Sequence, residues 1–160
     1  DYMPANARRV GVFVNEDKQT IEMFADRFSL DFIQLHGNES PEYCRSLQLS
    51  GLKLIKAFPI ASRKDLQNVH NYSNFCKYFL FDTKCEQRGG SGNQFDWSIL
   101  HIYKGRTPFI LSGGINPYSA KALKEFQHPL LVGYDLNSRF EVKPGKKDAQ
   151  RIHLFLNELR

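Results

Sequence analysis

Residues 9–37 read RVGVFVNEDKQTIEMFADRFSLDFIQLHG. Arg9–Asn15 is a β-branched run that ends on a polar residue. Asp17–Phe28 then places Ile21, Phe24, Ala25 and Phe28 at the i, i+3, i+4, i+7 spacing of one helix face. Asp31–Gly37 is a second short apolar run. This periodicity predicts strand, amphipathic helix, strand. A helical crossover between two short strands brings them together in parallel.

The same unit recurs outward to the C-terminus. Ser40 and Pro41 read as N-cap and first helical residue of a second helix. Leu52–Phe58 (LKLIKAF) is a third strand, and 62–75 reads as a helix. Tyr78–Thr83 (YFLFDT) is a fourth strand, followed by a Gly-rich loop at 88–92 that reads as a lid. Phe95–Tyr103 reads as a helix that buries Trp97, Leu100 and Ile102. Pro108–Gly114 (PFILSGG) is a fifth strand, and Asn116-Pro117 caps a helix to about Gln127. Leu130–Leu136 is a sixth strand, and Asp148–Leu159 is a terminal helix with Ile152, Phe155, Leu156 and Leu159 on one side. Six βα units imply a parallel sheet covered by helices. Two architectures carry such a sheet, an open doubly wound one and part of a (β/α)8 barrel.

Composition narrows the class. With 160 residues, 41% hydrophobic and 24% charged, the chain fits one globular domain with a sizeable core. No apolar run reaches the ~18 residues of a membrane span, and the start lacks the pattern of a signal peptide. Cys44, Cys76 and Cys85 are odd in number and have no CxxC spacing. They read as free thiols of a cytoplasmic protein, with no disulfide framework and no metal site. The net charge of +5 favours an anionic partner, but the basic residues are scattered, so a solvated surface and a small anion are expected rather than nucleic acid.

In parallel α/β folds the binding groups sit at the carboxyl ends of strands. Here those ends carry Asn15, Gln34 with His36, Lys56, Asp82, Ser112-Gly113-Gly114, and Asp135 with Asn137-Ser138. Asp82 follows an apolar run, where desolvation favours the protonated acid that a general acid requires. Glycine-rich turns after the last two strands suit a phosphate, because backbone N–H groups can approach it closely.

The segments VGVFVN (10–15), IQLHGNESPEYC (33–44), LFDT (80–83), GGSGNQFDW (89–97), FILSGGINP (109–117) and GYDLNSRFEVKPGKKD (133–148), in this order, resemble the phosphoribosylanthranilate isomerases of tryptophan biosynthesis. The resemblance implies a (β/α)8 TIM barrel with no cofactor and no metal, a single domain, and a monomer or homodimer. It implies an Amadori rearrangement of N-(5-phosphoribosyl)anthranilate, a phosphoribosyl small molecule, with no nucleic acid and no membrane involved. By the same resemblance Asp82 is the general acid, and Ser112, Gly113, Gly114, Asn137 and Ser138 form the phosphate cradle. Asp135 lies near the sugar or amine, and Gln34 and His36 contact or support the substrate.

The sequence departs from the family in three places. The family's base is a cysteine in a Lys-Ile-Cys-Gly type motif on its first strand, and no such motif occurs here. The second strand and the arginine after it are also missing, so the six strands correspond to strands three to eight. The barrel is therefore expected to be N-terminally incomplete and the chain inactive. Arg139 stands where the family usually has glycine, which alters the phosphate turn or brings a guanidinium to it. The competing readings are another phosphosugar barrel enzyme, such as an indole-glycerol-phosphate synthase or a pentose-phosphate epimerase, and a non-catalytic phosphate-binding module.

Overall fold

The computed structural model of the chain describes residues 4–83 and 97–160. Six parallel strands form one sheet: β1 (Val10–Phe13), β2 (Phe32–Leu35), β3 (Leu54–Ile60), β4 (Cys76–Thr83), β5 (Phe109–Ser112) and β6 (Leu131–Tyr134). Their spatial order is their chain order, β1 to β6, with every neighbouring pair parallel. A doubly wound sheet reverses its order at a switch point. This sheet has no reversal, which removes that alternative.

The crossovers are helical as expected, though two are weaker than expected. Helices α1 (Lys18–Arg27) and α2 (Pro41–Leu49) start on side-chain caps, Asp17 accepting from the Thr20 N–H at 2.9 Å and Ser40 from the Tyr43 N–H at 3.2 Å. The anticipated helix over 62–75 is instead two short 3-10 turns, Arg63–Leu66 and Val69–Tyr72. Asp65 closes the first by accepting from the N–H groups of Ala61 and Ser62 at 2.9 and 2.7 Å. Asparagine and serine at 68, 71, 73 and 74 favour such local bonds over a continuous helix. Trp97–Ile102 is likewise 3-10, and Ile102 faces solvent rather than the core. Helix α3 (Ala120–Glu125) begins three residues beyond Pro117, because Asn116 and Ser119 close a turn first. A hairpin of β7 (Glu141–Lys143) and β8 (Lys146–Lys147) turns at Gly145 with φ +77° and precedes α4 (Ala149–Leu159). The sequence pattern did not reveal this hairpin. In α4, Phe155 is buried and Leu156 is exposed.

Strand parity sorts the side chains into two sets. Ile33, Leu35, Leu54, Phe79, Phe81, Phe109 and Leu111 pack with Ile21, Leu47, Leu123 and Phe155 of the helices in the main core. The opposite face carries a small second cluster of Ile55, Ala57 and Leu80, flanked by Phe32, Tyr78 and Ile110. Gln34, Asp82 and Ser112 share the parity of this second face. The helices therefore cover one face of the sheet, and the strand-end polar groups rise from the other.

Candidate active site

Asp82 is the penultimate residue of β4, on the face opposite the described helices, in register with Pro59 of β3 and Ser112 of β5. Its side chain is about one-third exposed (32%), so it stands at the mouth of the sheet rather than in the desolvated position expected for it. His36, just past β2, places Nε2 3.6 Å from the Asp82 Oδ2. Gln34, two residues earlier on the same face, places its Nε2 2.9 Å from the His36 Nδ1. Across the register from Asp82, the Ser112 hydroxyl donates to the Asp135 Oδ2 at 2.9 Å. The Asp135 N–H donates to the Leu111 carbonyl at 2.8 Å, which seats Asp135 beside β5. Four strand ends thus carry one polar row: Gln34–His36, Asp82, Ser112 and Asp135.

The glycine turn is built on the residue after the acid. Thr83 points back toward the helices, buried, and its hydroxyl meets the carbonyls of Ser112 at 2.8 Å and Gly113 at 3.1 Å. The Trp97 indole N–H lies 3.3 Å from the same hydroxyl. Gly113 has φ +82°, and a Cβ there would run into the Thr83 backbone, 2.6 Å from its nitrogen. Gly114 follows at φ +68°. The turn is therefore clamped to β4, and its two glycines are conformationally required. The hydroxyl proton of Ser112 is committed to Asp135. The donors this turn can offer an anion are backbone N–H groups.

Asn137 and Ser138 lead into a 3-10 turn over Ser138–Phe140 and are exposed. The Asn137 side-chain Oδ1 accepts from Lys147 at 3.0 Å, and Lys147 also pairs with Glu141 at 2.8 Å. Sequence reasoning missed Lys147, which brings a cation to the Asn137 turn from the unforeseen hairpin. Arg139 is exposed, and Phe140 beneath it anchors the turn on Phe155, with ring centroids 4.9 Å apart.

Of the remaining strand-end polar residues, Asn15 ties a loop and Lys56 lies away from the site, and the described thiols are buried in the core. Asn15 has φ +52°, and its side chain accepts from the Asn38 N–H at 2.7 Å, a loop-tying role. Lys56 belongs to the helix-facing parity. It is 3% exposed and pairs with the buried Glu39 at 3.2 Å. Burial raises the Glu39 carboxyl, but the Asn15 N–H and Lys56 outweigh it, and its pKa ends below the usual value. Cys44 and Cys76 are buried free thiols. The hydrogen bond to Cys44, reinforced by burial, pushes the Cys76 thiol above its usual range. Cys85 and the anticipated 88–92 lid lie outside the described residues. Among the described residues no group of three or more His, Cys, Asp or Glu could hold a metal ion, and no helix is long and apolar enough to cross a membrane.

A parallel α/β sheet with a carboxylate at one strand end and a clamped glycine turn beside it carries both where such sheets commonly place their binding groups. A model of the N-(5'-phosphoribosyl)anthranilate (PRA) isomerase family matches residues 2–158, and the chain belongs to that family. It is 52% identical over 152 residues to an N-(5'-phosphoribosyl)anthranilate isomerase of Parabacteroides distasonis, covering 95% of this chain and 69% of the relative. The corresponding protein of Phocaeicola vulgatus is 49% identical over 160 residues, with 100% of this chain and 78% of the relative covered. Among solved structures, the phosphoribosyl anthranilate isomerase of Thermotoga maritima superimposes with a TM-score of 0.82 at 36% identity, over 98% of this chain and 75% of its own. A second crystal structure of such an isomerase, in complex with reduced 1-(o-carboxyphenylamino)-1-deoxyribulose 5-phosphate, superimposes with a TM-score of 0.81 at 33% identity, over 98% of this chain and 73% of its own.

Proposed function

We propose that this chain is an isomerase of tryptophan biosynthesis, converting N-(5-phosphoribosyl)anthranilate to 1-(2-carboxyphenylamino)-1-deoxyribulose 5-phosphate with Asp82 as general acid. The observation that carries the reading is Asp82 in register with the clamped Ser112-Gly113-Gly114 turn. With Asp82 as proton donor, a set of backbone N–H groups suited to the substrate's phosphate would lie one strand away. Asp82 gives its proton to the furanose ring oxygen, the C1–O bond breaks, and the nitrogen lone pair forms the Schiff base. Loss of the C2 proton to a base then gives the enolamine, which becomes the ketose. Asp135 and the Gln34–His36 pair line the sugar, and Gly113, Gly114, Asn137 and Ser138 hold the phosphate.

Among the described residues, sequential strand order, helices packed on one face and an apolar opposite face support an arc of a (β/α)8 barrel. The six strands would be strands three to eight of that barrel. The base is the one role for which the described residues bring no cysteine to the polar row, since Cys44 and Cys76 belong to the helix-side core.

Calorimetric titration with the reduced product analogue tests the binding half. Saturable binding that inorganic phosphate competes away is expected, and an analogue that does not bind overturns the reading. For turnover, Asp82→Asn is expected to lower kcat by about 10²-fold or more with analogue affinity kept, since a transition-state proton is lost and little ground-state contact. Near-normal kcat would remove Asp82 from the role.

A further inference from the structure

We infer that Gln34 is a positioning residue: by donating to the His36 Nδ1 it holds His36 as the Nε2–H tautomer, and this fixes which oxygen of Asp82 carries the acid proton. The inference rests on the role of Asp82 proposed above. Three groups stand in line on one face: the Gln34 amide nitrogen, the His36 ring and the Asp82 carboxyl. Neutral imidazole has one N–H and one acceptor nitrogen, and the partner of one nitrogen decides the state of the other. An amide N–H at 2.9 Å makes Nδ1 the acceptor, which places the hydrogen on Nε2. Nε2 is the atom that faces the Asp82 Oδ2.

The consequence concerns the proton that does chemistry. An N–H directed at Oδ2 requires Oδ2 to be the accepting oxygen. The proton of the carboxylic acid then resides on Oδ1, the oxygen not engaged by His36. When that proton passes to the ring oxygen and the C1–O bond breaks, the carboxylate left behind already has a donor at Oδ2. That contact strengthens as negative charge develops, so it stabilises the transition state more than the ground state. The other tautomer would do the reverse. Its bare Nε2 would draw the Asp82 proton onto Oδ2, toward the imidazole and away from the sugar. The 3.6 Å separation is slightly beyond hydrogen-bond length, as catalytic contacts often are before substrate tightens them.

Nitrogen-15 spectroscopy of the His36 ring in the 160-residue chain, above the ordinary imidazole titration range, tests the assignment. The Nε2–H tautomer is expected in the unsubstituted chain and in Asp82→Leu. In Gln34→Met, which keeps length and loses the donor, a population of the Nδ1–H tautomer is expected. A dominant Nδ1–H form in the unsubstituted chain overturns the inference, as does a Gln34→Met spectrum unchanged from it. Circular dichroism establishes that each variant is folded. Gln34→Met is expected to lose kcat by about tenfold at unchanged KM, less than removal of the acid itself. Equal kcat in Gln34→Met overturns the positioning role. If the unsubstituted chain neither binds the product analogue nor turns over substrate, the isomerase reading fails, while the tautomer result stands or falls by its own spectrum.

Discussion

Gly113 shows how much one residue can carry. Its φ of +82° is costly for any side chain, and its missing Cβ is filled by the backbone of Thr83. Gly51 shares the first property, at φ +86°, but has open space around it. Alanine at the two positions therefore separates conformational strain from collision. Gly51→Ala is expected to cost about 1 kcal/mol, the ordinary penalty of the left-handed region. Gly113→Ala should cost about 2–4 kcal/mol, since β4 and β5 must part to admit the methyl group. Urea denaturation followed by circular dichroism measures both, and equal losses would remove the clamp from the explanation. The two glycines of the Ser112-Gly113-Gly114 turn were legible in the sequence as a turn after a strand. Their partner was not: parity in YFLFDT puts Thr83 on the face of Phe79 and Phe81, but only the register shows that it grips the carbonyls of Ser112 and Gly113. The row Gln34, His36, Asp82, Ser112 and Asp135 was legible from strand ends alone, whereas its pairing into Gln34–His36–Asp82 and Ser112–Asp135 required the register.

At the scale of elements, the buried pair Lys56–Glu39 ties together the start of the sheet. Lys56 reaches from β3 to the carbonyls of Gly37 and Ala57, both at 2.9 Å. Glu39 accepts from the N–H groups of Asn15 at 2.8 Å and Gly37 at 3.0 Å, so the ends of β1, β2 and β3 meet on one ion pair. Removing either partner strands a buried charge. Glu39→Gln and Lys56→Met are each expected to cost about 3–5 kcal/mol, and the double variant less than their sum. Because the folded Glu39 carboxyl titrates below its usual value, its contribution is present in full above the unfolded glutamate range, near pH 4.5. It is lost as pH falls through the lower folded value. The stability gap between the unsubstituted chain and Glu39→Gln should therefore narrow on acidification below that range and stay constant from there to neutrality, and denaturation at a series of pH values would show it. Period-2 parity in LKLIKAF already assigned Lys56 to the face opposite Ile55 and Ala57. Reading it as a strand-end site group overlooked that parity. The 62–75 segment failed for a related reason. Apolar spacing suggested a helix, but asparagine and serine disfavour a continuous one, and of its two turns only Leu66 and Val69 are buried, with Tyr72 packed at the edge of the core.

For the 160-residue chain, the property that matters is that, among the described residues, β1 and β6 each have one strand neighbour. Counting βα repeats yielded six parallel strands correctly. It left two architectures, and the sequential order excluded the doubly wound one. The helix-free face near β1 exposes Val10 (42%), Val12 (58%) and Val14 (62%), apolar side chains that a closed barrel would place in its interior. The backbone of β1 reports on its edge directly. The carbonyls of Arg9 and Phe13 accept from Phe32 and His36 at 3.1 and 2.8 Å, so the odd-numbered residues face β2. Alternation in a parallel pair then turns the N–H groups of Val10 and Val12 to the outer edge. In the 160-residue chain the amides of Val10 and Val12 should exchange with solvent rapidly while those of Gly11 and Phe13 are protected, a one-on, one-off pattern absent from β3 and β4, which are paired on both sides. Amide hydrogen exchange resolved by residue reads this pattern. Level protection along β1 would mean that another strand occupies the edge, and a dependence of that protection on protein concentration would identify the strand as belonging to a second copy of the chain.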